Sequence, residues 1–186
     1  VRGFLPLAPV LLIAVIVSSG VEQAIFSLLP VYGLSHGLDA RTMSALLTVL
    51  IAGSIALQIP LGLAAERWKA RPVLAACAAA SALGSFLIPV LIGTPLIWPF
   101  MFLWGALAYG MYTMALTELG ARFAGAMLVA GNAAFALMWG VGGIAGPPLG
   151  GAAMDAIGPE GLPVTLGLLC LGLAAAALLA SRRERE

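Results

Sequence analysis

Long apolar runs separated by short polar turns dominate the chain. A helix needs roughly 20 mostly apolar residues to cross a bilayer. Six runs approach or exceed that length: residues 4–32, 43–65, 72–92, 96–117, 124–154 and 162–180. Within the first, only Glu22 and Gln23 interrupt the apolar pattern. The connectors, 35–42, 66–71, 93–95, 118–123 and 155–161, hold nearly all the charges. Lipid cannot hydrogen-bond a loose backbone, so each run predicts a helix. The alternation over about ten residues that marks membrane strands is absent. The first run is too long for a signal peptide, and five more spans follow it. A chain that opens on Val1 and enters a span almost at once reads as a fragment or a processed chain.

Composition agrees with that pattern. Of 186 residues, 62% are hydrophobic and 9% charged, where a soluble domain carries about 25% charged residues. The predicted class is therefore an all-α membrane protein with six transmembrane helices, surrounded by membrane lipid. A net charge of +1 supplies no field for nucleic acid. The single histidine, His36, excludes catalytic or metal sites that need two, and no cofactor or metal is expected. Cys77 and Cys170 are isolated in apolar runs and read as buried thiols. An intramembrane serine protease needs a membrane histidine, and an aspartyl one needs two membrane acids; neither set is present, so the chain does not read as an enzyme. No channel filter is recognisable either.

The charges are distributed unevenly. With both termini on one side, that side collects Arg2, Arg67, Lys69, Arg71, Arg122, Arg182, Arg183 and Arg185, and the other side only Arg41. Cationic loops stay in the cytosol, so both termini are predicted cytoplasmic, in the inner membrane of a bacterium.

Two motifs have mechanical meaning. The segment 62–72 joins the second and third runs: Gly62 allows close helix approach, and Glu66 and Arg67 open a tight turn with Lys69 and Arg71. Pro72 suits a helix first turn, where a missing N–H does no harm. This reads either as an ordinary basic loop or as a hinge whose Glu66 meets a neighbouring helix N-terminus. The second motif is 142–151. Gly142, Gly146 and Gly150 recur every four residues and share a helix face, with Gly143 and Gly151 beside them. Such a face lets another backbone come close. Pro147 and Pro148 predict a bend or break.

These residues carry a resemblance to a known family. The chain resembles the C-terminal half of a major facilitator superfamily transporter. Residues 62–72 look like the loop signature G-x-x-x-D-R-x-G-R-[RK]: Arg67 and Arg71 match, while Glu66 stands for Asp, Lys69 for Gly and Ala70 for Arg. Residues 142–151 fit G-x-x-x-G-P-x-x-G-G at every fixed position, Pro147 included. That pattern is best known in proton-coupled drug antiporters. The resemblance implies two inverted three-helix repeats, about 1–93 and 94–186. It also implies an N-terminal six-helix partner half, or a second copy in its place. The first helix of each triplet would line a cavity, the second would meet the partner half, and the third would lie outside.

Candidate site residues are the polar and aromatic ones inside spans. An ionisable group in a span is a functional hypothesis by default, and Glu22 is the one acid well inside a run. Counting from Phe4 puts it near the outer third of the membrane. Ser18, Ser19, Gln23 and Phe26 flank it. Glu22 reads as a proton site, as a site for a cationic substrate group, or as an acid satisfied by another helix. The fourth run offers Trp98, Phe102, Tyr109, Tyr112 and Thr113 near one face, either as a substrate wall or as packing. Glu118 and Arg122 are four apart and can pair. Asn132 and Trp139 share a face of the fifth run, with Asn132 bridging helices or reaching the cavity. Gln58 and Pro60 stay open in the same way, and His36 reads as a solvated loop residue. The leading reading is secondary transport of a small organic solute by alternating access, with proton-coupled efflux as the finer form. The alternative is a self-sufficient six-helix homodimer or an interaction module, joined through the glycine face.

Overall fold

The computed structural model describes residues 7–183. Arg2 and Arg185 of the charge tally lie outside the described residues, as do the side chains of Arg182 and Arg183. The chain runs α1 (Pro9–Ser35), α2 (Ala40–Ala56), α3 (Gln58–Trp68), α4 (Ala70–Leu91), α5 (Ile97–Arg122), α6 (Gly125–Ile157) and α7 (Gly161–Arg183). No strand occurs among the described residues. Five helices are each long and apolar enough to cross a membrane; α2 and α3 together make a sixth span, bent by 41°.

That bend corrects the single run read from the sequence at 43–65. Proline has no N–H, and its ring crowds the carbonyl four residues back. For Pro60 that carbonyl belongs to Ala56, the last residue of α2. Elsewhere prolines cause no break. Pro147 and Pro148 lie inside α6, which continues unbroken for 33 residues. Pro30 and Pro89 are likewise interior to α1 and α4. Packed membrane helices absorb a proline because neighbours resatisfy the freed backbone groups.

The turns are short. Asp39 caps α2, accepting a 2.7 Å hydrogen bond from the Thr42 amide. That bond holds its carboxyl below the usual range, so the cap's contribution is present above the unfolded pKa and fades as pH falls through the folded one. The turn between α3 and α4 is one residue, Lys69, at φ +66°. It occupies the position where the resemblance has glycine.

Packing follows a rule. The principal pairs are α1 with α6, α2 with α5, and α4 with α7. The others between spans are α4–α5, α1–α7, α1–α5, α6–α7, α3–α4, α3–α5, α1–α2 and α5–α6, with α2–α3 joined inside one span. Exchanging the triplet α1, α2–α3, α4 with the triplet α5, α6, α7 returns the same set of pairs. The two exchanged crossings are both made at glycine. In α2–α5, a methyl on Gly53 would lie 1.8 Å from the Phe102 carbonyl oxygen, and one on Gly105 2.3 Å from that of Leu50. In α1–α6, a methyl on Gly142 or Gly146 would lie 2.1 Å from the carbonyl oxygen of Ile16 or Gly20.

The glycine face of α6 is therefore filled by α1 of the same chain, which corrects its reading as a face for a second copy. The rest of α6 stays open: 22% of its most apolar stretch is buried, against 61% for α1. Val129, Val141 and Ile144 are exposed there, as are Ile55 on α2 and Ile59 and Leu63 on α3.

Candidate functional site

Pro9 starts α1, so Glu22 falls at the midpoint of the helix, 13 residues from Pro9 and 13 from Ser35. At about 1.5 Å of rise per residue it lies about 20 Å from either end. Glu22 is half-buried. It lies within electrostatic reach of Tyr109 on α5, which is itself 13 residues from Arg122 at the end of that helix. The Tyr109 hydroxyl is buried and has no partner among the described residues. The edge of the Phe26 ring meets Tyr109 at 6.4 Å. Together, Glu22, Phe26 and Tyr109 place a carboxyl group, a hydroxyl and an aromatic face at mid-bundle height between α1 and α5.

Two of the flanking side chains turn to α6, whereas the buried Ser18 hydroxyl has no hydrogen-bond partner among the described residues. The Ser19 hydroxyl donates to the Trp139 carbonyl across α1 and α6 at 2.6 Å. Gln23 runs against α6, its side chain 3.3 Å from where a methyl on Gly143 would sit. Ser18 is buried.

The aromatic stripe on α5 fans out to three neighbours. Positions 109, 112 and 113 span about 100° of the helix circumference, and each meets a different element. Tyr109 faces α1. Tyr112 meets Trp139 on α6, edge to face, with ring centroids 4.7 Å apart. Thr113 accepts a 3.2 Å hydrogen bond from the Gln58 amide of α3. Phe102 serves the α2–α5 crossing instead, and Trp98 lies at the far end of α5. Asn132 is exposed and donates to the Leu128 carbonyl of its own helix at 3.1 Å. Tyr112, Asn132, Ala136 and Trp139 line a cleft of about 350 Å³ between α5 and α6. Its walls are ring faces and its polar contact is an amide, which suits a flat, semi-polar molecule.

At the end of the bundle that carries Lys69 and Arg122, a second cavity of about 600 Å³ is lined by Glu66, Lys69, Arg71, Glu118, Arg122 and their neighbours. The carboxylate of Glu118, 8% exposed, receives Arg71 of α4 and, at 3.0 Å, Arg122 of its own helix. The i, i+4 pair was readable from spacing; the entry of Arg71 from 47 residues away was not. Arg71 is itself 10% exposed, so the pair fastens α4 to α5 away from water, where removal of one partner is costly. Glu66 and Arg67 are exposed at the end of α3, and Glu66 borders the cavity together with Ala70, Arg71 and Pro72 at the start of α4. Gly62 marks no close approach among the described residues, since a methyl there would meet nothing of them within 4 Å. Gly151 is open in the same way, whereas a methyl on Gly150 would press on Leu28 at 2.8 Å.

Six apolar spans, packed as exchangeable triplets around a half-polar face, define an integral, multi-pass helical membrane protein. The chain belongs to the Major Facilitator Superfamily, whose family model matches residues 11–186. It is similar, at 28% identity over 130 residues, to a Bacillus subtilis (strain 168) protein described as "Uncharacterized MFS-type transporter YfkF". That match takes in 70% of this chain and 33% of the relative, so the chain spans a minor part of the relative's length. No solved structure matches the chain.

Proposed function

We propose that this chain is the C-terminal six-helix half of a twelve-helix secondary transporter that moves a small organic solute by alternating access, coupled to protons in the direction of efflux. The observation that carries the reading is Glu22, an acid at the centre of an apolar helix, facing a buried tyrosine hydroxyl. A carboxyl group there exchanges a proton or a cationic group with whatever enters between α1 and α5. The aromatic cleft at Tyr112, Asn132 and Trp139 supplies area for a ring-bearing solute. The division into inverted repeats, 1–93 and 94–186, draws support from the exchange of packed pairs between triplets. Both termini are assigned to the cytosol and the bundle to a bacterial inner membrane, by the charge asymmetry.

The partner half, or a second copy, meets the open faces of α2, α3 and α6, where the exposed aliphatic residues lie. Gly62 belongs to that surface, so any close approach there comes from the partner. Glu66, Arg67, Arg71, Glu118 and Arg122 form the cytosolic closure.

The test is flux in proteoliposomes containing the intact transporter, with a panel of aromatic organic solutes and an imposed pH gradient. Glu22→Gln keeps the shape and removes the titration. Gradient-driven flux is expected to fall at least tenfold (about 1.4 kcal/mol) and to lose its pH dependence, with the size-exclusion profile unchanged. Full flux with an unchanged pH profile contradicts the assignment.

A further inference from the structure

At the opposite end of the bundle from Lys69 and Arg122, three side chains that transport does not employ come together. Tyr32, fully buried near the end of α1, sends its hydroxyl to the Glu160 carboxylate, 3.2 Å from Oε2 and 3.4 Å from Oε1. His36, one residue beyond α1, places Nε2 3.0 Å from Glu160 Oε1. Its Nδ1 lies 2.8 Å from the Tyr32 carbonyl oxygen. Glu160 sits 124 residues away, in the turn between α6 and α7.

The hydrogen-bond partners around the ring suit its charged form. A carbonyl oxygen only accepts, and so does an ionised carboxylate. The Ser35 hydroxyl, 3.3 Å from Nδ1, already gives its proton to the Tyr32 carbonyl at 2.7 Å. Both ring nitrogens therefore have to donate, and an imidazole does so only as the imidazolium. The Tyr32 ring, 4.3 Å from the His36 ring centroid to centroid, supplies a face that attracts such a cation. A neutral ring would turn a lone pair on one of the two oxygens.

We propose that His36 is a proton-binding site in its own right, separate from Glu22, which fastens the end of α1 to the α6–α7 turn when protonated and releases it when neutral. The site is open to the solution: the His36 side chain is 26% exposed and that of Glu160 45%. Five other charged or titratable groups meet this ring or share its end of the bundle. Tyr32 and Glu160 are engaged with it as described. Asp39 is committed to the Thr42 amide, and Arg41 is exposed at the start of α2. Asp155 is exposed near the end of α6, and the turn 92–96 between α4 and α5 brings no charge. The fastened helix is the one that carries Glu22, so the freedom of that helix answers to the pH on the His36 side of the membrane.

The experiment is a distance measurement by paired spin labels in lipid nanodiscs, at Leu34→Cys and Pro159→Cys, with Cys77 and Cys170 changed to Ala. No transported solute is needed, so the outcome is independent of the transport proposal. The distance distribution is expected to be short and narrow at pH 5.5 and longer and broader at pH 8.5. His36→Gln, which cannot titrate, is expected to abolish the pH response. Glu160→Gln is expected to abolish it as well while leaving the helical circular dichroism spectrum intact. The same distribution at both pH values, or a pH response that survives in Glu160→Gln, overturns the proposal.

Discussion

Lys69 is the one non-glycine residue with positive φ among the described residues, at φ +66° and ψ 150°. A side chain in that region costs about 1–3 kcal/mol, and Lys69 bears the cost because the chain must reverse between α3 and α4 in one residue. Glycine takes the conformation without strain but loses about 0.5–1 kcal/mol more entropy on folding. Lys69→Gly is therefore expected to stabilise the protein by about 1 kcal/mol and raise Tm by about 2–4 °C in a detergent melt. A lower Tm would show that the lysine side chain contributes more than the backbone strain removes. The sequence exposed this position only by contrast, as a lysine where the loop signature has glycine. Similar limits hold for the charged groups. Glu118 and Arg122 could be paired from spacing, because four residues bring side chains together on a helix surface. Arg71 with Glu118, and His36 with Glu160, could not, because helices meet through tertiary packing that spacing does not encode.

Among the elements, α1 and α6 show what a small-residue face does. Membrane helices gain no hydrophobic drive from meeting, so contact at backbone distance has to supply the attraction. Gly146→Ala would place a methyl 2.1 Å from the Gly20 carbonyl oxygen and force the helices apart. Overpacking of this kind costs about 1–3 kcal/mol, which corresponds to a Tm lower by about 3–10 °C. Gly151→Ala, five residues on and open on all sides, is the matched control and is expected to leave Tm unchanged or slightly higher. Equal losses in both would remove the seam from the account. The four-residue spacing of Gly142, Gly146 and Gly150 declared the face, but its occupant stayed hidden, since any helix backbone fits a glycine groove. Prolines were legible to the same half extent. Pro60 marks the break between α2 and α3, yet Pro30, Pro89, Pro147 and Pro148 lie in helices that continue. What separates them is the surrounding packing, which local sequence does not report.

At the scale of the molecule, the number of spans was readable because lipid imposes a length on every apolar run. The division of labour among the helices was partly readable. Polar and aromatic residues do gather on α1 and α5, but three different neighbours engage Tyr109, Tyr112 and Thr113, so a common face in sequence became separate contacts in space. In the proposed repeat, α1 and α5 correspond, and Glu22 lies within electrostatic reach of Tyr109 near the middle of both helices. Arg67, Lys69, Arg71 and Arg122 fall at the other end from His36, Glu160 and Arg41, which ties the orientation of Glu22 to the orientation of the whole bundle.

The account rests on this chain crossing lipid with Arg67, Lys69, Arg71 and Arg122 on the cytosolic side, and side-specific labelling tests it directly. Ala124→Cys marks the turn between α5 and α6, and Pro159→Cys the turn between α6 and α7, each in a background with Cys77 and Cys170 changed to Ala. A membrane-impermeant maleimide added to intact cells is predicted to modify Pro159→Cys at once and Ala124→Cys only after permeabilisation. Modification of both from outside, or of Ala124→Cys alone, would contradict it.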